Sequence, residues 1–373
     1  MPAYKAWNSS LSKQAVLLFF ILVVLIWTLF SVSAKRIIPT YSSAQSLISS
    51  PKPLPRSKYA YATILTADGD AEFPDVQGPY LRAVRFLNYQ LLHNPRTRGN
   101  NTDDRIPLLV LVTSDVPQRY YDILAHDGAT VIPVQALGRD WIHPQWERWN
   151  DVLTKLNLWR LVEYEKIMFL DADSIIFRPI DHIFTDPATA VQTTLPYSEL
   201  PKNRTISPEE VEDDEENEIP LPDTYMLAGT HDSWAEWALQ LDPGNEFYAR
   251  DNYMNAGFFV CAPSQTLFNY YISLLDIPGR FDPSYPEQNL LNNAHRTDGQ
   301  MPWTSLGSMW NEKGVDEAAY HNGLRSIHHK WWHPTTDPVV RERIKIEMNE
   351  MNKFYREREV ATWPRKVEQS ASR

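Results

Sequence analysis

The chain has 373 residues, 43% hydrophobic and 22% charged, a composition that suits a globular protein with a sizeable core and excludes a disordered or fibrous one. Its formal net charge is -11, and eight of those units come from one acidic run at residues 209–218, so the rest of the chain is nearly balanced and carries none of the basic excess that nucleic acid demands. A lone cysteine, Cys261, excludes a disulfide-stapled scaffold.

After a short polar tail (1–14), residues 15–34 run for twenty positions without a charge. As a helix at about 1.5 Å per residue this spans a hydrocarbon core of about 30 Å, so it reads as a transmembrane signal anchor. Val32-Ser33-Ala34 resembles a small-residue cleavage site, which keeps a removed signal peptide as the competing reading. Lys5 and Lys13 on one side balance Lys35 and Arg36 on the other, so charge does not set the orientation. The triplets Asn100-Asn101-Thr102 and Asn203-Arg204-Thr205 after the anchor are compatible with a lumenal side, and Asn8-Ser9-Ser10 is a third match before it. Residues 35–58, rich in Ser and Pro, read as a stem.

The β-branched and aromatic run at 59–65 predicts a first strand. A helix is expected over 79–92, a strand over 106–113, a helix over 118–127, a strand over 130–134, a helix over 150–164 and a strand over 166–170. This alternation predicts an α/β domain at 59–336 with a largely parallel sheet covered on both faces, whose ligands bind beyond the carboxyl ends of the strands. An acidic insertion (198–223) interrupts it, strand character resumes over 254–262, and 337–373 reads as a charged helical tail with Val340, Ile344, Ile346, Met348, Met351 and Phe354 at helical spacing.

Chemistry concentrates in Lys166-Ile167-Met168-Phe169-Leu170-Asp171-Ala172-Asp173, an apolar strand ending in two carboxylates. Alternation on an extended chain would point Asp171 and Asp173 to one side. Two such charges repel unless a cation joins them, and oxygen ligands suit Mn²⁺ or Mg²⁺. The haloacid-dehalogenase phosphatases also end a strand this way, with the first Asp as nucleophile. Here more than a hundred residues of α/β chain precede the triplet, which argues against that class.

Several blocks in order resemble glycosyltransferase family 8, the family of glycogenin. They are Thr154-Lys155-Leu156, Asp171-Ala172-Asp173, Asn255-Ala256-Gly257, Glu287-Gln288-Asn289-Leu290-Leu291-Asn292 and His328-His329-Lys330-Trp331-Trp332. The last departs from the family pattern in spacing and in having Trp331 where Pro is usual, and Glu287 stands where many members have Asp. The resemblance implies a nucleotide-diphospho-sugar transferase (GT-A type) fold and retaining transfer from a UDP-sugar to a glycan or glycoprotein acceptor. It assigns Asp171, Asp173 and His328 (or His329) to the metal. Lys330 goes to the donor phosphates, Lys155 to the donor sugar or diphosphate, and Asn255 and Gln288 to the sugar. Gly257 allows close approach, and Thr63, Leu65 and Thr66 line the uracil and ribose. Anchor, stem and family together point to the Golgi membrane, single-pass with a lumenal catalytic side; a tethered sugar-binding protein without turnover is the non-enzymatic alternative. Donor sugar, acceptor and oligomeric state are not specified by these residues.

Overall fold

Seven strands form the central sheet of the computed structural model, which describes residues 57–66, 78–99, 105–200, 219–232, 253–307, 309–313, 321, 323–332 and 338–371. All belong to the second of two units, Leu54–Arg373. The anchor, the stem, the acidic run at 209–218 and the three Asn-x-Ser/Thr triplets lie outside the described residues. Among the described residues, no helix is long and apolar enough to cross a membrane.

The first half of the domain follows the expected order. Strand β1 (Tyr59–Leu65) leads to helix α1 (Pro79–Leu92), with Pro79 in the first turn, where its missing N–H costs nothing. Then come β2 (Leu108–Thr113), α2 (Gln118–Asp127) and β3 (Thr130–Val134). Gly128, at φ 102°, ends α2 in the left-handed conformation that glycine tolerates. Next, where an α-helix was expected over 150–164, the chain forms a 3₁₀ segment, Val152–Arg160. Every residue from Leu153 to Trp159 is buried, with Thr154, Lys155 and Asn157 among them, so no single apolar face sets the pitch of this segment.

Strand β4 (Lys166–Leu170) and the short β5 (Ser174–Ile176) follow. Two small strands, β6 (Gln192–Thr193) and β7 (Thr224–Tyr225), pair with each other. Strands β8 (Leu227–His231) and β9 (Met254–Cys261), helices α3 (Gln265–Leu275) and α4 (Pro286–Ala294), β10 (Thr304–Ser305), β11 (Ser326–His328) and helix α5 (Pro338–Ala371) complete the chain.

The sheet order is β10-β8-β9-β4-β1-β2-β3. Four neighbouring pairs are parallel and two are antiparallel, because β9 runs against both β4 and β8. The sheet is therefore largely parallel, as the alternation of elements predicts. Successive residues of its strands enter opposite cores. Tyr61, Val110, Met168 and Phe258 pack on one face with α1, α2 and α5. Ala62, Leu109, Phe169 and Phe259 pack on the other with the 3₁₀ segment, α3 and α4.

The C-terminal segment, expected as a tail, is part of this body. Val340, Ile344, Met351 and Tyr355 of α5 are buried in the first core. Ile346, which shares the apolar spacing, is 51% exposed.

Candidate active site

Strand β4 ends at Leu170, and the two acids that follow sit in a turn in which Ser174 N–H donates to Asp171 C=O at 3.0 Å. The turn, and not strand alternation, brings the carboxylates together. Asp171 N–H donates to Gly257 C=O at 2.8 Å, which ties the turn to β9. Antiparallel pairing of β11 with β5 sets His328 opposite Ser174, so its Nε2 lies 3.1 Å from Asp173 Oδ1 and 3.6 Å from Asp171 Oδ2. Burial alone would push the imidazole down, but the Asp173 carboxylate beside it, aided by Asp171, holds it above its ordinary value. For Asp173, burial acts to raise and is outweighed by His328 and Lys330, which hold the carboxyl down to about 2.

Asp171, Asp173 and His328 can each offer one ligand atom, all within 4.8 Å of one another. Ligands about 2.1 Å from a hard divalent ion lie about 3 Å apart when adjacent, so small side-chain shifts bring this set onto Mn²⁺ or Mg²⁺. The second ring nitrogen, Nδ1, is buried with no hydrogen-bond partner among the described residues, so the partners of the imidazole are the two carboxylates at Nε2. The residues present therefore fit the ion. Of the two candidate histidines, His328 joins this set, while the backbone N–H of His329 donates to Asp173 C=O at 3.1 Å.

Gly257 faces the set. A Cβ there would stand 2.3 Å from His328 Cε1 and 2.8 Å from Asp171 Oδ2, closer than side-chain carbons approach. Lys155 lies beneath, its side chain 3% exposed, with Nζ 2.9 Å from Asp171 Oδ1 and 2.7 Å from Glu287 Oε1. Burial acts to lower its pKa; the two carboxylates outweigh it and keep the ammonium charged.

A polar floor extends from β9. Asn255 Oδ1 accepts from Gly257 N–H and from Asn311 Nδ2, each at 3.0 Å, and Asn255 Nδ2 donates to Asp232 Oδ2 at 3.0 Å. Gln288 Oε1 accepts from Ala256 N–H at 2.9 Å, and Gln288 Nε2 donates to the same Asp232 oxygen at 2.9 Å. Lys313 pairs with the other oxygen of Asp232. Asn311, at φ 57°, is held in a left-handed conformation that asparagine tolerates better than most residues.

Apart from Asn311, these side chains line one cleft of about 690 Å³, beyond the carboxyl ends of β1 and β4. Leu65, Thr66 and Lys330 also line it, and Lys330 Nζ lies 5.8 Å from the centre of the Tyr80 ring. Thr63 does not line the cleft: it is fully buried mid-strand, paired in register with Val110, two residues short of the strand end where the cleft opens. Asp232, Lys313, Asn311 and the aromatic residues of the rim were not read from the sequence. Asp232 repeats the pattern of an acid directly after a strand, but β8, with Gly229 and a register shift in its middle, gives little strand signal.

No protein-family model matches the chain. An uncharacterised protein of Schizosaccharomyces pombe is 27% identical over 297 residues, 74% of each chain. Galactinol synthase 3 of Arabidopsis thaliana is 26% identical over 301 residues, 74% of this chain and 80% of that protein. Among solved structures, the glycosyltransferase GlyE of Streptococcus pneumoniae is 14% identical and aligns with a TM-score of 0.43, over 80% of this chain and 64% of that one, a likeness too distant to carry an argument.

Proposed function

We propose that this chain, a member of glycosyltransferase family 8 by its motif blocks and its galactinol synthase relatives, moves a hexose or N-acetylhexosamine from a UDP-sugar to a glycan or glycoconjugate acceptor with retention of configuration. The observation that carries the reading is the convergence of Asp171, Asp173 and His328 in a cleft that also holds Lys330, Asn255 and Gln288.

Asp171, Asp173 and His328 would hold a divalent ion, which when bound would supply positive charge against the donor diphosphate and its leaving charge. Lys330 adds a compact positive charge on the phosphate side. Asn255 and Gln288, bonded to Asp232, form a polar floor of the cleft on the side of the sugar. Lys155 holds Asp171 and Glu287 in place from below. Glu287 is engaged by Lys155 and Asp232 by Lys313, which favours departure and attack on one face over a covalent glycosyl-enzyme. In that step the anomeric C–O bond to phosphate breaks, the acceptor oxygen bonds the same carbon, and the acceptor's proton passes to the departing phosphate oxygen.

A Golgi address, type II with the catalytic side lumenal, belongs to the same proposal. Its support is the uncharged run at 15–34 and the Ser/Pro-rich stem.

The test is a calorimetric titration of UDP into the full chain with and without Mn²⁺. Binding that needs the metal and disappears in Asp173→Ala is expected. Equal binding without metal would sink the metal role, and phosphate release from a monoester without any sugar nucleotide would favour the dehalogenase-type phosphatase.

A further inference from the structure

The cleft contacts follow one line. Lys330 acts on Asp173, Asp173 meets His328, His328 meets Asp171, Asp171 meets Lys155, and Lys155 meets Glu287. Two residues before Glu287 stands Tyr285, whose ring lies 5.0 Å from that of Trp149. The Arg148 guanidinium lies over Trp149 at 5.4 Å and over Trp146 at 5.3 Å. Gln145 N–H donates to Ser284 C=O at 3.0 Å and seats this loop against the start of α4. Trp146, Arg148, Trp149 and Tyr285 all line the cleft.

Two features of this shelf are unusual for packing alone. Trp146 is 51% exposed, a large apolar face turned to solvent at the cleft rim. Arg148 has a buried Nε–H with no acceptor, and no carboxylate pairs with it among the described residues. The lysines that line the cleft are engaged: Lys155 by Asp171 and Glu287, Lys313 by Asp232, and Lys330 over the Tyr80 ring at 5.8 Å. The Arg148 guanidinium makes no hydrogen bond or ion pair among the described residues, so its terminal nitrogens are left to serve a ligand at the rim.

We propose that the shelf is the acceptor subsite and that the acceptor is an anionic sugar, a six-membered ring bearing a phosphate or a carboxylate. This rests on the donor reading above, in which metal and diphosphate take the Lys330–Asp173 end of the line and leave the shelf to the acceptor. The apolar C–H face of a six-membered ring lies flat on an indole. A guanidinium lying over aromatic faces keeps its planar edge for an oxyanion, and its fork matches phosphate and carboxylate alike. The oxyanion anchors the acceptor and makes no bond in the transfer; a ring hydroxyl supplies the attacking oxygen.

The test uses the full chain, saturated with UDP and Mn²⁺, with binding followed by tryptophan fluorescence. The probes are glucose, glucose 6-phosphate, glucuronic acid and inorganic phosphate. At least one of the two anionic sugars is expected to bind about tenfold or more tightly than glucose, and which of them leads distinguishes a phosphate-bearing from a carboxylate-bearing acceptor. Arg148→Gln should bring both to the level of glucose, Arg148→Lys should retain part of the preference, and Trp146→Ala should weaken all three sugars, with UDP affinity the same throughout. Circular dichroism checks that each variant folds. Equal binding of glucose and both anionic sugars would overturn the proposal, as would a preference unchanged in Arg148→Gln. A loss of UDP binding in Arg148→Gln would move Arg148 to the donor diphosphate and overturn it too. Inorganic phosphate binding as tightly as glucose 6-phosphate would remove the sugar ring from the inference. If the wild type fails to bind UDP, the donor reading falls by itself, and the same titrations without UDP still read the shelf.

Discussion

A lysine ammonium whose side chain is 3% exposed persists because two carboxylates reach it, Asp171 at 2.9 Å and Glu287 at 2.7 Å. Replacing one member of such a group leaves an uncompensated buried charge, whereas replacing both partners by neutral residues removes the penalty. Lys155→Met is therefore expected to lower unfolding free energy by about 3–5 kcal/mol. The double change Lys155→Met with Glu287→Gln should recover a large part of that loss. Urea unfolding of the two single variants and the double reads this coupling, and additive losses would mean that the contact does no stabilising work. At this scale the sequence was informative where chemistry and strand ends coincide. Asp171 and Asp173 close a run of four buried apolar residues, and Lys155, Asn255 and Gln288 fall in recognisable blocks. Thr63 was misplaced because a strand's register against its cleft depends on where its neighbours end. Asp232 was not visible, since its partners Asn255, Gln288 and Lys313 are far away in the chain, and Arg148 was not, since only the fold brings its loop to the cleft.

The elements that matter most to the site are the ones with the weakest local signal. Strands β5 and β11 have three residues each, too short for alternation to show, yet their pairing delivers His328 to the carboxylates. The 3₁₀ segment was misread because all of Leu153–Trp159 is buried, so the apolar pattern does not report the pitch. His295, just past the end of α4, shows what links the elements of the second core. Its Nδ1 lies 2.7 Å from Met301 C=O and must donate, so Nε2 accepts from the Tyr271 hydroxyl of α3 at 2.6 Å. Full burial holds this neutral ring down to about 4, against 6.5 when exposed. In the window between those values the unfolded chain binds the extra proton, so stability rises with pH there and is lost on acidification. Between pH 7 and pH 5 this group is expected to cost about 2 kcal/mol. Urea midpoints of the wild type and of His295→Gln at the two pH values isolate it. The variant should start less stable and lose less on acidification, and an equal loss in both would assign the pH dependence to other groups.

At the scale of the whole molecule, alternating strand and helix signals gave the parallel half of the sheet, and the doubled period-two packing explains why. Each central strand is buried on both faces, so its residues are apolar throughout and stand out from the chain. The role of α5 was harder to see because most of its surface is charged and its apolar contacts are made at long range. Tyr355 is the clearest case. It is 2% exposed, its hydroxyl accepts from Asn88 Nδ2 at 2.9 Å and donates to Arg85 C=O at 3.2 Å, and the Arg85 guanidinium lies 4.8 Å from its ring centre. Glu347 of the same helix accepts from Gln90 Nε2 at 3.0 Å, and Gln90 also bonds the backbone of Ile176 in β5, the partner strand of His328. The helix thus closes the first core and braces the strand pair that carries a metal-ligand candidate. Two single substitutions on α5 separate this from a surface tail. Tyr355→Ala removes a buried aromatic and one of the two acceptors of the Asn88 amide, the other being Asp127 C=O, so it is expected to destabilise by about 3–5 kcal/mol. Ile346→Ala, at a 51% exposed position, should change stability by no more than about 0.5 kcal/mol. Denaturation midpoints of the two variants decide the matter: similar small effects would mean that α5 lies on the domain without supporting it, and a large effect at Tyr355 alone makes the last helix part of what holds the active site together.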